Sequence, residues 1–412
     1  MKKQGYTAEL WIVVALAVLG QIAWGLENAW FNTFTFDEIT TNTAPIAAMN
    51  AASALTATVT TFIMGARSDR AGKRKPYIRW GYVIWGLTTA GFFTAKFFPG
   101  EAAQAVMVVL FDCVMTFFGS MAYDACFNAW TTDISNETNR GRITSIVQIA
   151  PLISGVILAG AGAVIDRFGY AVFFFLIGFF VSMTGYIAGG KLQDSPDLKP
   201  NPDAETVRIT EIVRRLFSKK LWQDNRQLLL ILLAICILLT GFQVSYAYEM
   251  IYANNYLGIA KTYATLLTAA GLPVMVAASI ITGRLCDSGK GMKALLAAPA
   301  LFAAGSLLHG AARTIPAVLA GRALLYGGWM MMTVAATAMF KNLSPGESRG
   351  YFEGIRMVFM VLIPMAAGPS LGSWLIGRYG VSPVLYTVGG IIGLLAYAVI
   401  FVLYRQYGKA EK

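Results

Sequence analysis

Histidine is almost missing from this chain: His309 is the only one in 412 residues. A metal centre built on several histidines is thereby excluded, as is a serine–histidine–acid hydrolytic set at any workable depth. Charged residues are scarce too, at 13%, about half of the ~25% usual in a soluble chain. The four cysteines, Cys113, Cys126, Cys236 and Cys286, fall in apolar stretches or beside basic turns, so no disulfide framework is implied. No glycine loop ending in Lys-Ser/Thr occurs, which argues against an ATP-driven machine. No resident cofactor or metal is expected, and nothing in these absences suggests an enzyme.

Apolar sequence fills the space left. Hydrophobic residues make up 56% of the chain, the mean hydropathy is +0.58, and runs of about twenty apolar residues, enough to cross a ~30 Å hydrocarbon layer, recur from end to end. The runs predict helices over Leu10–Thr33, Ala44–Gly65, Ile78–Phe98, Ala103–Thr132, Ile143–Ile165 and Ala171–Gly190. After a polar gap they continue over Leu228–Tyr252, Ala264–Leu285, Leu295–Ala312, Pro316–Phe340, Gly354–Ile376 and Val384–Tyr404. The predicted fold is therefore an all-α integral membrane protein of about twelve transmembrane helices. Gly155–Gly162 and Gly368–Gly372 are rich in small residues, which let membrane helices approach closely.

The net charge of +11 is not a nucleic-acid face, because its lysines and arginines sit in alternate loops. One set holds Lys2, Lys3, Arg67, Arg70, Lys73, Arg74, Lys75, Arg79, Arg140, Arg142, much of 191–226, Arg284, Lys290, Lys293, Lys341, Arg349 and Arg405. The opposite loops carry only Lys96, Arg167, Lys261, Arg313 and Arg378. That asymmetry predicts a multi-pass protein of the cell membrane with both termini and the central loop cytoplasmic. The first helix lacks a small-residue cleavage site and carries Glu27, Asn28 and Asn32, so it reads as a retained helix rather than a signal peptide.

The chain also repeats itself. Gly65-Ala-Arg-Ser-Asp69-Arg-Ala-Gly72 is echoed by Gly283-Arg-Leu-Cys-Asp287-Ser-Gly289, and Asp133-Ile-Ser135 before Arg140 by Asn342-Leu-Ser344 before Arg349. Asp166-Arg-Phe-Gly169 is echoed by Gly377-Arg-Tyr-Gly380, and Gln21 with Glu27 by Gln243 with Glu249 at the same separation. Echoes in one order, with offsets near half the chain length, imply two six-helix halves: 1–190, a cytoplasmic linker 191–226, and 227–412. In the linker, Val207, Ile209, Ile212, Val213 and Leu216 alternate with Arg208, Arg214 and Arg215. This pattern fits either a short amphipathic helix on the inner leaflet or a solvated connector.

The Gly65–Lys75 stretch resembles the signature loop between the second and third helices of the major facilitator superfamily. The resemblance runs through the whole chain and implies two pseudo-symmetric bundles, a solute site near the midplane and alternating access by rocking. It implies a gating role at the cytoplasmic helix ends for Asp69, Arg70, Lys73, Arg74 and, in the echo, Asp287. Gly72-Lys-Arg-Lys-Pro76-Tyr-Ile and Tyr123-Asp124-Ala-Cys-Phe-Asn128 more finely resemble the glycoside–pentoside–hexuronide cation symporters, a melibiose permease-like group, and the sucrose carriers. In that group the fourth-helix acid serves the coupling cation. Its second helix usually bears acids as well, whereas Asn50–Met64 here offers only Asn50, Ser53, Thr56, Thr58, Thr60 and Thr61.

Ionisable residues inside membrane helices cost several kcal/mol unpaired, of order 2.5–3.5 on insertion scales, so each is a candidate. Glu27, Asp112 and Asp124 are acids of the first half. The resemblance makes helices one and four neighbours, so these acids would converge without a basic helical partner and hold a proton or cation. Glu249 and Arg322 of the second half could pair with one another. Glu353 and Arg356, three apart, suggest a local helical pair. Gln21, Trp24, Glu27, Asn28, Gln243, Tyr246, Glu249 and Arg322 together offer rings and polar groups suited to a sugar, or to an organic cation. Trp30 and Tyr252 read as members of an interfacial aromatic belt.

The reading is a monomeric secondary transporter of a small polar organic solute, a sugar or glycoside, coupled to H⁺ or Na⁺. Proton-driven export of amphiphilic cations and lipid or lysolipid translocation are the alternatives. The expected partners are the solute and the bilayer, with no nucleic acid. Reporter fusions after Lys199 and at Lys412 should both read as cytoplasmic; a periplasmic signal at either would overturn the helix count.

Overall fold

A chain crossing hydrocarbon has no water to bond its peptide groups and must satisfy them internally. In the computed structural model, which describes residues 2–135, 140–202, 219–343 and 349–410, those residues form helices and no strand. The principal helices are α1 (Leu10–Glu38), α2 (Ala44–Ala71), α3 (Lys75–Gly91), α4 (Glu101–Asp133), α5 (Arg140–Leu158) and α6 (Ala161–Lys191). They continue as α7 (Arg226–Asn255), α8 (Lys261–Asp287), α9 (Gly291–Ala311), α10 (Ile315–Leu343), α11 (Gly354–Tyr379) and α12 (Val384–Arg405). Ten are individually long and apolar enough to span a membrane. The other two are α3, prolonged by a 3-10 segment Phe92–Phe97, and α5, whose apolar part is Ser145–Leu158.

Two compact units emerge from the packing. The first comprises Met1–Pro45, Leu55–Val207 and Ala260–Leu266; the second comprises Ile46–Ala54, Arg208–Ile259 and Leu267–Lys412. In the first unit α3 packs along α6, and in the second α9 lies against α10 and α12 while α7 packs on α11 and α12. Outward faces are apolar: on α6, Val172, Phe175, Leu176, Phe179, Phe180, Met183 and Ile187 are all exposed. A soluble protein would not show such a stripe; a membrane helix turns it to lipid.

Local sequence explains where the helices start and stop. Proline stands in the first turn of α2 and α3, where its missing N–H costs nothing. The Asp194 carboxylate accepts the backbone N–H groups of Arg74 (2.8 Å) and Lys75 (2.9 Å) at the start of α3, an anion at the positive end of a helix. Gly72 closes α2 in the left-handed region at φ 58°. A side chain there would also collide with Lys199 and Pro200, whose backbone lies over the turn.

The structure differs from the sequence-predicted elements in instructive places. The fifth predicted helix is interrupted at Ala159–Gly160, while the break predicted before Ala171 is present at Gly169, which is non-helical at φ 79° and ψ 171°. Trp30 and Tyr252, expected at a lipid interface, are instead 1% exposed. Trp30 packs edge-on against Tyr170 and Phe173, and Tyr252 lies against Tyr256, His309 and Tyr386. Ring-to-ring packing inside the bundle holds them. The proposed linker helix (Val207 to Leu216) and the Glu353 side chain lie outside the described residues.

Close backbone approach sets the packing of the second unit. A Cβ placed on Gly241 of α7 would strike the carbonyl oxygen of Gly389 on α12 and the amide of Gly393. Since backbone cannot swing away as a side chain can, overpacking there should cost about 2–3 kcal/mol. Gly241→Val is expected to lower the apparent melting temperature of purified protein by roughly 5 °C or more. An unchanged melting curve would mean that α7 and α12 do not meet at Gly241.

Candidate functional site

Helix distortions gather where the sequence concentrates its polar residues. In α1 the helix widens into a π turn over Glu27–Phe31. In α4 the same happens over Ser120–Phe127, the stretch that carries Tyr123 and Asp124. In α7 the helix stops after Tyr246, turns through Ala247 and Tyr248, and resumes at Glu249. Glu27 and Glu249 are partners in the sequence repeat; Glu27 opens its π turn, and Glu249 opens the helix that follows the break. Inserted or broken turns of this kind mark functional positions in helices, because they redirect side chains that a regular helix would stack one turn apart.

The second unit holds the tighter constellation. Arg322 Nη2 lies 2.7 Å from Glu249 Oε1, with both side chains buried. The Tyr326 hydroxyl donates to Glu249 Oε2 at 2.6 Å. Arg322 Nη1 donates to Thr268 Oγ1 at 2.8 Å, and that hydroxyl donates to Glu249 Oε1 at 3.3 Å. Both carboxylate oxygens are thus engaged, as a buried charge requires. Arg322 Nε has no partner among the described residues. Beside the pair sits a cavity of about 10 Å³, room for about one water, lined by Tyr246, Glu249, His309, Arg322, Tyr326 and Tyr386.

An aromatic wall adjoins this polar centre. The Phe242 ring stacks on Trp329, with centroids 5.0 Å apart and planes within 9°, and on Tyr246 at 4.7 Å. The Trp329 indole N–H and His309 Nε2 are buried without a partner among the described residues. His309 Nδ1 faces the Val318 carbonyl at 3.4 Å. Flat rings flanked by donors and a carboxylate can hold the CH-rich face and hydroxyl edge of a small polar solute, or a cation.

In the first unit, Gln21 Nε2 donates to the Tyr123 hydroxyl at 2.9 Å, tying α1 to the π turn of α4. Trp24 packs on Trp85 at 4.8 Å. The Thr116 hydroxyl donates to Glu27 Oε1 at 3.2 Å, and Asp112, 1% exposed, lies one turn before Thr116 on the same helix. Asn28 donates to the Trp24 carbonyl of its own helix. Asp124 is half-buried and forms no ion pair among the described residues. Gln21, Glu27, Thr116 and Tyr123 thus make the α1–α4 contact, with Asp112 one turn from Thr116. In the second unit Gln243 stands apart from the ion pair, its Cβ against Gly368 of α11.

Among the loop residues, Arg74 holds the centre. Its guanidinium pairs with Asp69 and with Asp133, the latter at 3.0 Å, and donates to Ser68 Oγ. Burial alone would lower the Arg74 pKa, but hydrogen bonds to Asp133 and Asp69 and their charges prevail and hold it above the usual value. The Asp69 carbonyl accepts the Asn201 N–H. One cation therefore joins the ends of α2 and α4 and faces the start of the linker. Arg70 and Lys73 are exposed, and the second-half echo Asp287 is exposed as well. Sequence reading named Asp69 and Arg74 but missed Asp133 as their third member. It also missed Thr268, Tyr326 and His309 around Glu249, since nothing in the repeat marks them.

A family model described as Major Facilitator Superfamily matches residues 10–252 and again 230–412. Among curated proteins, a vacuolar membrane amino acid uptake transporter, fnx2, of Schizosaccharomyces pombe is 30% identical over 121 residues, 29% of this chain and only 20% of that relative. The nucleoside transporter NupG superposes with a TM-score of 0.72 at 11% identity, covering 96% of this chain and 98% of its own. A D-xylose-proton symporter gives 0.70 at 16% identity, over 95% and 97%. A bacterial homolog of the human lysosomal transporter Spinster gives 0.70 at 13%, over 98% and 97%. At these identities the likeness to the solved structures is one of fold.

The ion pair generates its own test. Arg322→Gln leaves Glu249 buried without its countercharge and is expected to cost about 3–5 kcal/mol. Glu249→Gln combined with Arg322→Gln should recover most of that loss. The check is thermal unfolding of the single and double variants. Additive losses would show that the two side chains do not act as a pair.

Proposed function

Because this chain belongs to the Major Facilitator Superfamily, a family of membrane transporters and not of enzymes, we propose that it is a secondary active transporter. Its solute is a small polar organic molecule of the sugar or glycoside class, moved by alternating access and coupled to H⁺ or Na⁺. The observation that carries this reading is the Glu249–Arg322–Tyr326–Thr268 cluster beside the stacked Phe242, Tyr246 and Trp329. Hydroxyl-rich solutes are recognised by such paired donors and acceptors next to ring faces. The fold likeness to a D-xylose-proton symporter and to a nucleoside transporter is in keeping with it. The lysine and arginine asymmetry supports cytoplasmic termini.

A second reading is favoured by one feature. A carboxylate and a guanidinium side by side match the ammonium and carboxylate of an amino acid, and the short stretch matched to the fungal protein belongs to an amino acid transporter by its name. Competition separates the two readings: a sugar-class solute is displaced by glycosides and not by zwitterions.

The roles then divide between the units. The second unit's cluster recognises solute. In the first unit, Asp112 and Asp124 serve the coupling ion, with Glu27 at the same α1–α4 contact. The Asp69–Arg74–Asp133 group is the gating latch, with Arg70 and Lys73 as its exposed basic rim. In proteoliposomes, Asp124→Asn or Asp112→Asn is expected to abolish solute accumulation against its gradient under an imposed proton or sodium gradient. Exchange of labelled for unlabelled solute should persist in at least one of them. Wild-type accumulation in both variants would sink the coupling assignment.

A further inference from the structure

Among the described residues, Arg79 is a cation without an anion. It lies four residues into α3, about 6 Å from the start of that helix at the helical rise. Its Cζ sits 5.2 Å from the Trp80 ring centroid and 5.1 Å from that of Tyr186 on α6. Its Nε is buried without a partner, and the guanidinium takes part in no ion pair among the described residues. An arginine offers five N–H donors and no acceptor, so two ring faces leave its hydrogen-bonding capacity unfilled. Three acids of this end are engaged elsewhere: Asp69 and Asp133 with the Arg74 guanidinium, Asp194 with the α3 backbone.

The surroundings define what could fill it. Gly189 and Gly190 open a trench on α6. A Cβ on Gly190 would lie 3.6 Å from Arg79 Nε and 3.7 Å from Cζ, and one on Gly189 would press on the Arg79 Cα at 2.9 Å. The absence of side chains there lets the guanidinium lie along α6. Trp80 and Tyr186 are exposed by 51% and 57%, as interfacial aromatics are where headgroups meet acyl chains. From Tyr186 the exposed face of α6 runs on through Met183, Phe179, Leu176 and Phe175. Lys191, next in the chain after Gly190, gives the trench an exposed basic rim, and Arg70 and Lys73 at the end of α2 are exposed as well.

We propose that the Arg79 trench between α3 and α6 is a binding site for one anionic phospholipid. The headgroup phosphate accepts from the guanidinium, and an acyl chain follows the apolar face of α6. The chemistry recognised is a phosphate ester, and the basic rim selects a lipid with net negative charge over one whose headgroup brings its own cation. The rim and the trench lie at the end of the helices that carries most of the chain's arginine and lysine, so the site draws on the inner leaflet.

The test uses purified, delipidated full-length protein in detergent. Its thermal unfolding is followed with added phosphatidylglycerol, with phosphatidylcholine of the same acyl chains, or with inorganic phosphate. Phosphatidylglycerol should stabilise the wild type more than phosphatidylcholine does. Arg79→Gln should weaken the apparent phosphatidylglycerol affinity about fivefold, the factor for about one elementary charge at a membrane surface. Arg79→Lys should retain part of it. Gly190→Val, which displaces the guanidinium without removing it, should reproduce the loss and stands in if Arg79→Gln does not fold. An undiminished preference for phosphatidylglycerol in both Arg79→Gln and Gly190→Val would overturn the site. Inorganic phosphate stabilising as well as the lipid would overturn the lipid assignment in favour of a free anion.

Discussion

A charge inside a bilayer has to be answered by another charge or by several hydrogen bonds, and the second unit is organised around one such answer. Glu249 and Arg322 meet at 2.7 Å with Tyr326 and Thr268 completing the carboxylate's partners. The break in α7 serves that meeting. A helix continuous through Ala247 and Tyr248 would place Glu249 one regular step beyond Ser245; the turn re-aims it toward α8 and α10. Packing follows the same demand. Gly321 of α10 lies against the backbone of His309, and Gly305 of α9 against that of Leu325, so the helix carrying Arg322 lies as near α9 as backbone allows.

The two units are unequal descendants of one pattern. Both carry a glutamate at a helical disturbance, Glu27 at the start of a π turn and Glu249 just after an interruption. In the second unit the glutamate pairs with Arg322 of α10. In the first, the corresponding contact is made by Thr116, with Asp112 close by.

Much of the architecture was legible in the sequence because membrane helices announce themselves by length and apolarity alone. The repeat of Gln21 and Glu27 as Gln243 and Glu249 also marked the two helices whose turns are disturbed, but not the disturbances themselves. Side-chain neighbours were less legible. Tyr326 is one turn beyond Arg322 on α10, and His309 sits on α9, yet only the rotation and spacing of three packed helices bring them to Glu249. Trp30 and Tyr252 misled for a related reason: an aromatic near a helix end can face lipid or the bundle, and composition is identical in both cases. Asp133 was visible as part of a repeated Asp-Ile-Ser motif, but its role depends on Arg74 reaching across from the start of α3.

The Glu249–Arg322 pair has a bearing on electrical behaviour. Its two charges sum to zero, so a membrane potential does no net work on the closed pair when the helices carrying it shift. A single charge crossing the full potential would instead feel about 2.3 kcal/mol per 100 mV. While the pair stays closed, it contributes no net charge movement of its own when α7 and α10 shift. Any current that accompanies turnover has to be carried by charges outside that pair.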